Sequence, residues 1–155
     1  MDAPTMQPVV AMATLGIDAL PESVWQALTT PSKLKMFFFG ADVDSTFRVG
    51  APITMRGEMN GKPYEDKGTI LIADEPKRLS FSHYSPLSGK PDAPENTNVV
   101  TFTLAPENAG TRVTLTQTKL QGPITEADAQ NREAYEKNWR GVLEGLRETA
   151  SSLLV

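Results

Sequence analysis

The stretch TEADAQNREAYEKNWRGVLEGLRETASSL, Thr125 to Leu153, carries the longest helix signal in the chain. Thr125 suits an N-cap, with Glu126 and Asp128 in the first turn where the helix dipole favours negative charge. Tyr135, Trp139, Val142, Leu146 and Leu153 recur at helical spacing, and Leu143 and Ala150 widen the stripe. Glu136, Lys137, Arg140, Glu144, Arg147 and Glu148 cover the opposite side. Such a helix needs an apolar surface of matching length to lie on.

The preceding chain supplies that surface. From Ala41 onward the hydrophobic period is two. Ile53, Met55 and Met59 alternate with Thr54, Arg56 and Glu58, and Asn60-Gly61 is a strong hairpin signal. Thr69 to Ala73 reads as a strand, with a turn at Glu75-Pro76-Lys77. Leu79, Phe81 and His83 alternate with Ser80, Ser82 and Tyr84. A proline-rich polar loop, SPLSGKPDAPENTN, follows. Two further strands run over Val99 to Leu104 and Thr111 to Lys119, turning at Glu107 to Gly110. Val100, Phe102 and Leu104 share one face of the first; Val113, Leu115 and Gln117 share one face of the second. Strands with one apolar and one polar face form an antiparallel sheet wet on one side, and the long helix covers the other.

Upstream, Met1 to Pro8 reads as a loose leader, and Val9 to Asp18 as a first strand. Pro21 and Glu22 suit the start of a helix that places Val24, Trp25 and Leu28 on one face. Pro31 ends it, and a second short helix is expected from Ser32 to about Phe37. The class is α+β, as one domain spanning 1–155.

The chain has 155 residues, enough to bury roughly 70% of its unfolded surface without staples. It has no cysteine and one histidine, which excludes disulfides, thiolate metal sites, a cysteine nucleophile and a histidine metal cluster. No cofactor and no metal are expected. With 19 Asp+Glu against 15 Lys+Arg, charge alone draws it to neither nucleic acid nor anionic lipid. No apolar run approaches the ~20 residues of a membrane span, and the N-terminus lacks the basic and apolar regions of a secretory signal. A soluble cytoplasmic protein is the expectation. Nucleophile elbows, phosphate loops and dinucleotide fingerprints are absent.

The segments PESVWQALTTPSKLKMFFFG, RVGAPITMRGEMNGKPYEDKG, RLSFSHYSPLSGKPDAPEN, GTRVTLTQ and EKNWRGVLEGL, in that order, resemble the SRPBCC superfamily, the START-like, Bet v 1-like helix-grip group. Within it the chain is most similar to bacterial proteins of the activator of Hsp90 ATPase homologue 1-like family, from roughly Ala13 to Leu154. Phe37, Met55 and Met59 stand where relatives often carry tryptophan or tyrosine, which makes the interior less polar. The resemblance implies a curved seven-stranded antiparallel sheet gripping the C-terminal helix, with two short helices after the first strand and an apolar cavity between sheet and helix. It also implies that the segment after the second short helix lies by the cavity mouth, and it brings a possible chaperone contact and a stress-response setting.

Within that frame the triplet Phe37, Phe38, Phe39 matters, because neither helix nor strand points three successive side chains one way. Either one ring packs on the core while another lines or gates the cavity, or all three plug the corner. The expected lining is Met55, Phe81, His83, Phe102 and Gln117, with Trp139 and Leu143 from the helix and at least one of the three phenylalanines. His83 shares the phase of Leu79 and Phe81; it is a ligand contact, a general base, or simply a hydrogen-bonded core histidine. Gln117 would form a small polar patch with it. Met36, Met55 and Met59 could make an adaptable wall, or core filling. Tyr64, Glu65 and Asp66 offer paired carboxylates, though such residues beside a hairpin are more often solvated. The leading reading is non-catalytic binding of a small apolar molecule. The alternatives are a chaperone-associated interaction protein and a cyclase- or hydrolase-like enzyme on an apolar substrate, in a monomer or homodimer.

Overall fold

The computed structural model describes residues 8–152. Residues 1–7 of the expected leader, and Leu153 at the end of the helical stripe, lie outside the described residues. Seven strands form one antiparallel sheet: β1 (Val9–Ile17), β2 (Asp42–Asp44), β3 (Pro52–Met59), β4 (Lys62–Asp74), β5 (Arg78–His83), β6 (Asn98–Glu107) and β7 (Gly110–Lys119). Their spatial order is β1-β7-β6-β5-β4-β3-β2, which puts β1 and β2 at opposite edges. The chain therefore crosses the full width of the sheet between them, and helices α1 (Pro21–Leu28) and α2 (Pro31–Phe37) make that crossing. The long helix α3 (Glu126–Ser152) packs on β1, α1 and α2.

Each helix begins as the sequence dictates. Prolines open α1 and α2, where a missing N–H costs nothing. At α3, the Asp128 N–H donates to Thr125 Oγ1 at 3.0 Å and the Thr125 N–H donates back to Asp128 Oδ2 at 3.0 Å. This is a reciprocal capping box with aspartate in place of glutamate. Lys119 Nζ, buried at the end of β7, reaches the same carboxylate oxygen at 3.3 Å.

The apolar stripe of α3 lands as expected. Trp139, Val142, Leu143, Leu146 and Ala150 are buried against Val100, Phe102, Val113 and Leu115 of the sheet and Val24, Trp25 and Leu28 of α1 in one core cluster. Asn60 and Gly61 both take positive φ, 52° and 79°, as the tight β3–β4 hairpin requires.

The sequence reading of β4 was too short. The strand spans Lys62–Asp74 and includes the whole KPYEDKG segment. Its first half pairs with β3 and its second half with β5, with a register shift between Ile70 and Ile72. Gly68 lies two residues before it, where a side chain would run into the Ser82 carbonyl.

The edges are protected. β2 is three residues long with an aspartate at each end, and on β1 the Met12 N–H donates to Glu136 Oε2 of α3 at 2.9 Å.

Candidate functional site

The phenylalanine triplet divides three ways. Phe37 ends α2 buried beside α3, so near Gly145 that a Cβ there would lie 2.6 Å from its own Cβ. Phe38 is buried and turned toward the sheet, its ring 6.3 Å from that of Phe81. Phe39 is 56% exposed, with φ at +57°, and Gly40 continues the left-handed turn at +68°. The turn explains the split: two successive left-handed residues swing the third ring out of the core. Phe39 lies edge-on to Phe38 and Trp139, with centroids 5.1 and 5.9 Å apart. The three rings therefore do not all plug the corner: Phe37 and Phe38 are buried and Phe39 is not.

Four spaces border these rings, one of them a shallow depression of about 390 Å3 on the outer side of Phe37 and Phe39 that includes Met36 and Lys137. A void of about 10 Å3 lies inside the core among Phe38, Met55, Phe81, Phe102 and aliphatic neighbours. It has room for about one water and no polar group to hold it. Outside it opens a groove of about 380 Å3, floored by Phe38, Met55 and Trp139 and walled by Phe39, Met59, Tyr64 and Leu87. A smaller hollow of about 190 Å3 adjoins it, sharing Phe39, His83, Asn138 and Trp139 and adding Gln117 and Tyr135. Phe38 and Met55 border both the void and the groove, so they form the partition between them.

The expected lining is thus brought together only in part. Phe38, Phe39, Met55, His83 and Trp139 meet at the groove, and Gln117 joins them in the adjoining hollow. Phe81 and Phe102 border only the inner void; Leu143 is fully buried in the core, and Phe37 packs on the α3 side. Of the methionine set, Met36 is 71% exposed on the outer side of α2 and takes no part in the groove.

The polar groups are paired across elements. Trp139 Nε1 donates to Gln117 Oε1 at 2.8 Å, inside the core. His83 Nε2 and Asp66 Oδ2 are 2.8 Å apart, with both residues bordering the groove. Asp66 is buried, which corrects the expectation that the carboxylates of Tyr64-Glu65-Asp66 are solvated. Its partner position across β3 is Met55, an inward residue, so Asp66 points inward too. Glu65 does lie at the surface, in an ion pair with Arg56 at 3.4 Å. The other oxygen of Asp66, Oδ1, is buried with no hydrogen-bond partner among the described residues. Burial, and then the Asp66 charge, push the Tyr64 phenol above its ordinary range, so Tyr64 stays a neutral donor at the rim.

The sequence reading missed Asp66, Tyr64, Leu87, Ser85, Ser88 and Asn138 as lining residues. The signal for the first two was alternation: Tyr64, Asp66 and Gly68 share the phase of Ile70, once β4 is read as one strand. The loop that brings Leu87 and the serines is held down by Tyr84, whose hydroxyl donates to the Lys90 carbonyl at 2.6 Å, and by a Lys67–Asp92 ion pair. Among the described residues no group of three acidic or histidine side chains could hold a metal ion. Among the described residues no helix is long and apolar enough to cross a membrane.

This arrangement of sheet and helices is shared. A protein of Cytophaga hutchinsonii, solved in solution, is 41% identical, with 97% of this chain and 99% of that one aligned at a TM-score of 0.76. A crystal structure from Mesorhizobium loti is 21% identical over 92% of this chain and 96% of its own, at a TM-score of 0.71. The Aha1 dimer from Colwellia psychrerythraea is also 21% identical, over 90% and 94%, at a TM-score of 0.64. No curated protein matches the chain. The family model for activator of Hsp90 ATPase homolog 1-like proteins matches residues 18–151. That span takes in α1, α2, six of the seven strands and nearly all of α3, so the chain belongs to the activator of Hsp90 ATPase homolog 1-like family.

Proposed function

We propose that the protein binds a small, flat, apolar molecule in the groove between α3 and the sheet, without transforming it. The observation that carries this reading is the groove itself. Its volume suits a ligand of two or three fused rings, its floor is aromatic and thioether, and the His83–Asp66 pair stands at its wall among other polar side chains. Phe39 stands at its edge on an exposed turn, where a change of rotamer would widen the entry without moving the backbone. The site residues in this reading are Phe38, Phe39, Met55, His83 and Trp139, with Gln117 behind them. The protein acts in the cytoplasm as one domain.

The test uses Nile red, a neutral apolar dye whose emission rises out of water. The wild type takes up the dye, and Phe39→Ala changes its affinity while leaving the melting temperature close to wild type. No uptake, or uptake indifferent to both Phe39→Ala and Met59→Glu, would overturn the reading.

A second reading, contact with an Hsp90-type chaperone, is favoured by family membership. It requires the purified protein to change the ATPase rate of such a chaperone. The Colwellia relative is a dimer, and a homodimer is the assembly that this second reading would take.

A further inference from the structure

We infer that His83, oriented by Asp66, selects the occupant of the groove, and that this occupant is an uncharged aromatic molecule whose hydroxyl group donates a hydrogen bond to His83 Nδ1. The inference rests on the groove-binding reading above and specifies the chemistry of its ligand.

The protonation pattern follows from the contact. A carboxylate carries lone pairs and no hydrogen, so in its contact with an imidazole it is the acceptor. The hydrogen therefore sits on Nε2, 2.8 Å from Asp66 Oδ2. Nδ1 is left with a lone pair. No described residue hydrogen-bonds Nδ1, and it is not among the side-chain atoms sealed from open space without a partner. The ring borders both the groove and the adjoining hollow. Asp66 Oδ1 is sealed and has no partner among the described residues, so among these His83 alone shares the carboxylate's charge through a hydrogen bond. A charge held against one ring nitrogen strengthens the other as an acceptor.

The charge pattern narrows the ligand further. No lysine or arginine lines either space. A carboxylate or sulfonate would enter without a counter-charge and would face Asp66. An ammonium group needs several acceptors to replace its water, and the two carboxylate oxygens are sealed or taken. A neutral hydroxyl needs one acceptor, and the Nδ1 lone pair left by the Asp66 contact offers one beside the aromatic floor. The rings of Phe38, Phe39 and Trp139, with centroids 5.1 to 6.3 Å apart, supply faces and edges for a flat aromatic body.

Two compounds separate the hydroxyl from the ring: 2-naphthol, and 2-methoxynaphthalene, which has the same rings without the donor. Calorimetric titration is run at about pH 8, above the ordinary imidazole range and below that of the phenol. The wild type is expected to bind 2-naphthol about tenfold more tightly, the weight of one hydrogen bond. His83→Phe brings the two affinities together by weakening 2-naphthol. Asp66→Asn, which no longer forces the hydrogen onto Nε2, also erodes the preference.

Because His83 is the only histidine, nitrogen-15 labelling of histidine reads its tautomer in the unmutated protein and needs no variant to fold. Nε2 should carry the hydrogen, and the Nδ1 resonance should move on adding 2-naphthol and stay on adding the ether. A hydrogen on Nδ1, or equal affinities in the wild type, overturns the inference while leaving groove binding intact. Failure of both compounds to bind overturns the groove reading together with it.

Discussion

Trp139 Nε1 donates to Gln117 Oε1 at 2.8 Å, and this buried bond joins the middle of α3 to β7 under the floor of the groove. Both side chains are buried, and the indole N–H and the amide oxygen satisfy one another. Removing one strands the other. Gln117→Leu should therefore cost about 1–3 kcal/mol, and Trp139→Phe a similar amount beyond its lost packing. The double change should cost less than the sum of the two. Denaturant melts of the four proteins measure this coupling, and strict additivity would mean the bond contributes nothing.

The three phenylalanines should differ sharply. Phe37→Ala and Phe38→Ala remove buried rings and should each cost about 3–5 kcal/mol. Phe39→Ala should cost far less, because that ring is 56% exposed. Phe39→Gly should cost less again or stabilise, since glycine takes the +57° φ without the penalty of a side chain. Thermal melts rank them; equal losses at Phe37 and Phe39 would contradict the division of the triplet.

Two glycines of α3, one turn apart, give opposite expectations. Around Gly141 nothing lies within 4 Å of an added Cβ, so Gly141→Ala should stabilise by about 1 kcal/mol through helix propensity. Gly145→Ala would meet Phe37 Cβ at 2.6 Å, the root of a buried side chain that has no room to swing away. Overpacking there should cost about 1–3 kcal/mol in spite of the same propensity gain. Opposite shifts in denaturation midpoint are the expected result.

The α3 cap makes stability depend on acid. Burial alone would raise the Asp128 carboxyl, but the hydrogen bonds from Thr125 and then the Lys119 ammonium outweigh it and hold it below the ordinary aspartate range. A carboxyl that titrates lower in the folded state than in the unfolded contributes fully above the unfolded value, about 3.9. That contribution is lost as pH falls through the lowered folded value. The advantage of wild type over Asp128→Asn should be largest near neutral pH and shrink below about pH 4. Urea melts across that range check the sign.

Much of this architecture was readable in the sequence because its signals are local. The Thr125 cap, the Trp139–Leu146 stripe, the Asn60-Gly61 hairpin and the alternation of Val100, Phe102 and Leu104 each arise within a few residues, and the structure carries all of them. The site was less legible because it depends on register and curvature. Asp66 meets His83 only because β4 runs unbroken through KPYEDKG before pairing with β5. No neighbour in sequence announces that. Phe102 and Leu143 have the inward phase expected of pocket residues, yet they lie deeper than its floor, because Phe38 and Met55 close the space above. Phase tells which side of a sheet a residue faces, and says nothing of how far the core is filled beneath it.

The central claim is that a flat apolar molecule settles beside Trp139, and the two indole N–H resonances of the protein test it most directly. Trp25 and Trp139 are the only tryptophans, and Trp139→Phe assigns their peaks. Trp25 is buried in α1 and lines neither the groove nor the hollow. Titration of the nitrogen-15 labelled protein with 2-naphthol should shift the Trp139 indole peak in a saturable way and leave that of Trp25 in place. A Trp139 peak that stays fixed throughout, or a shift at Trp25 alone, would contradict the account.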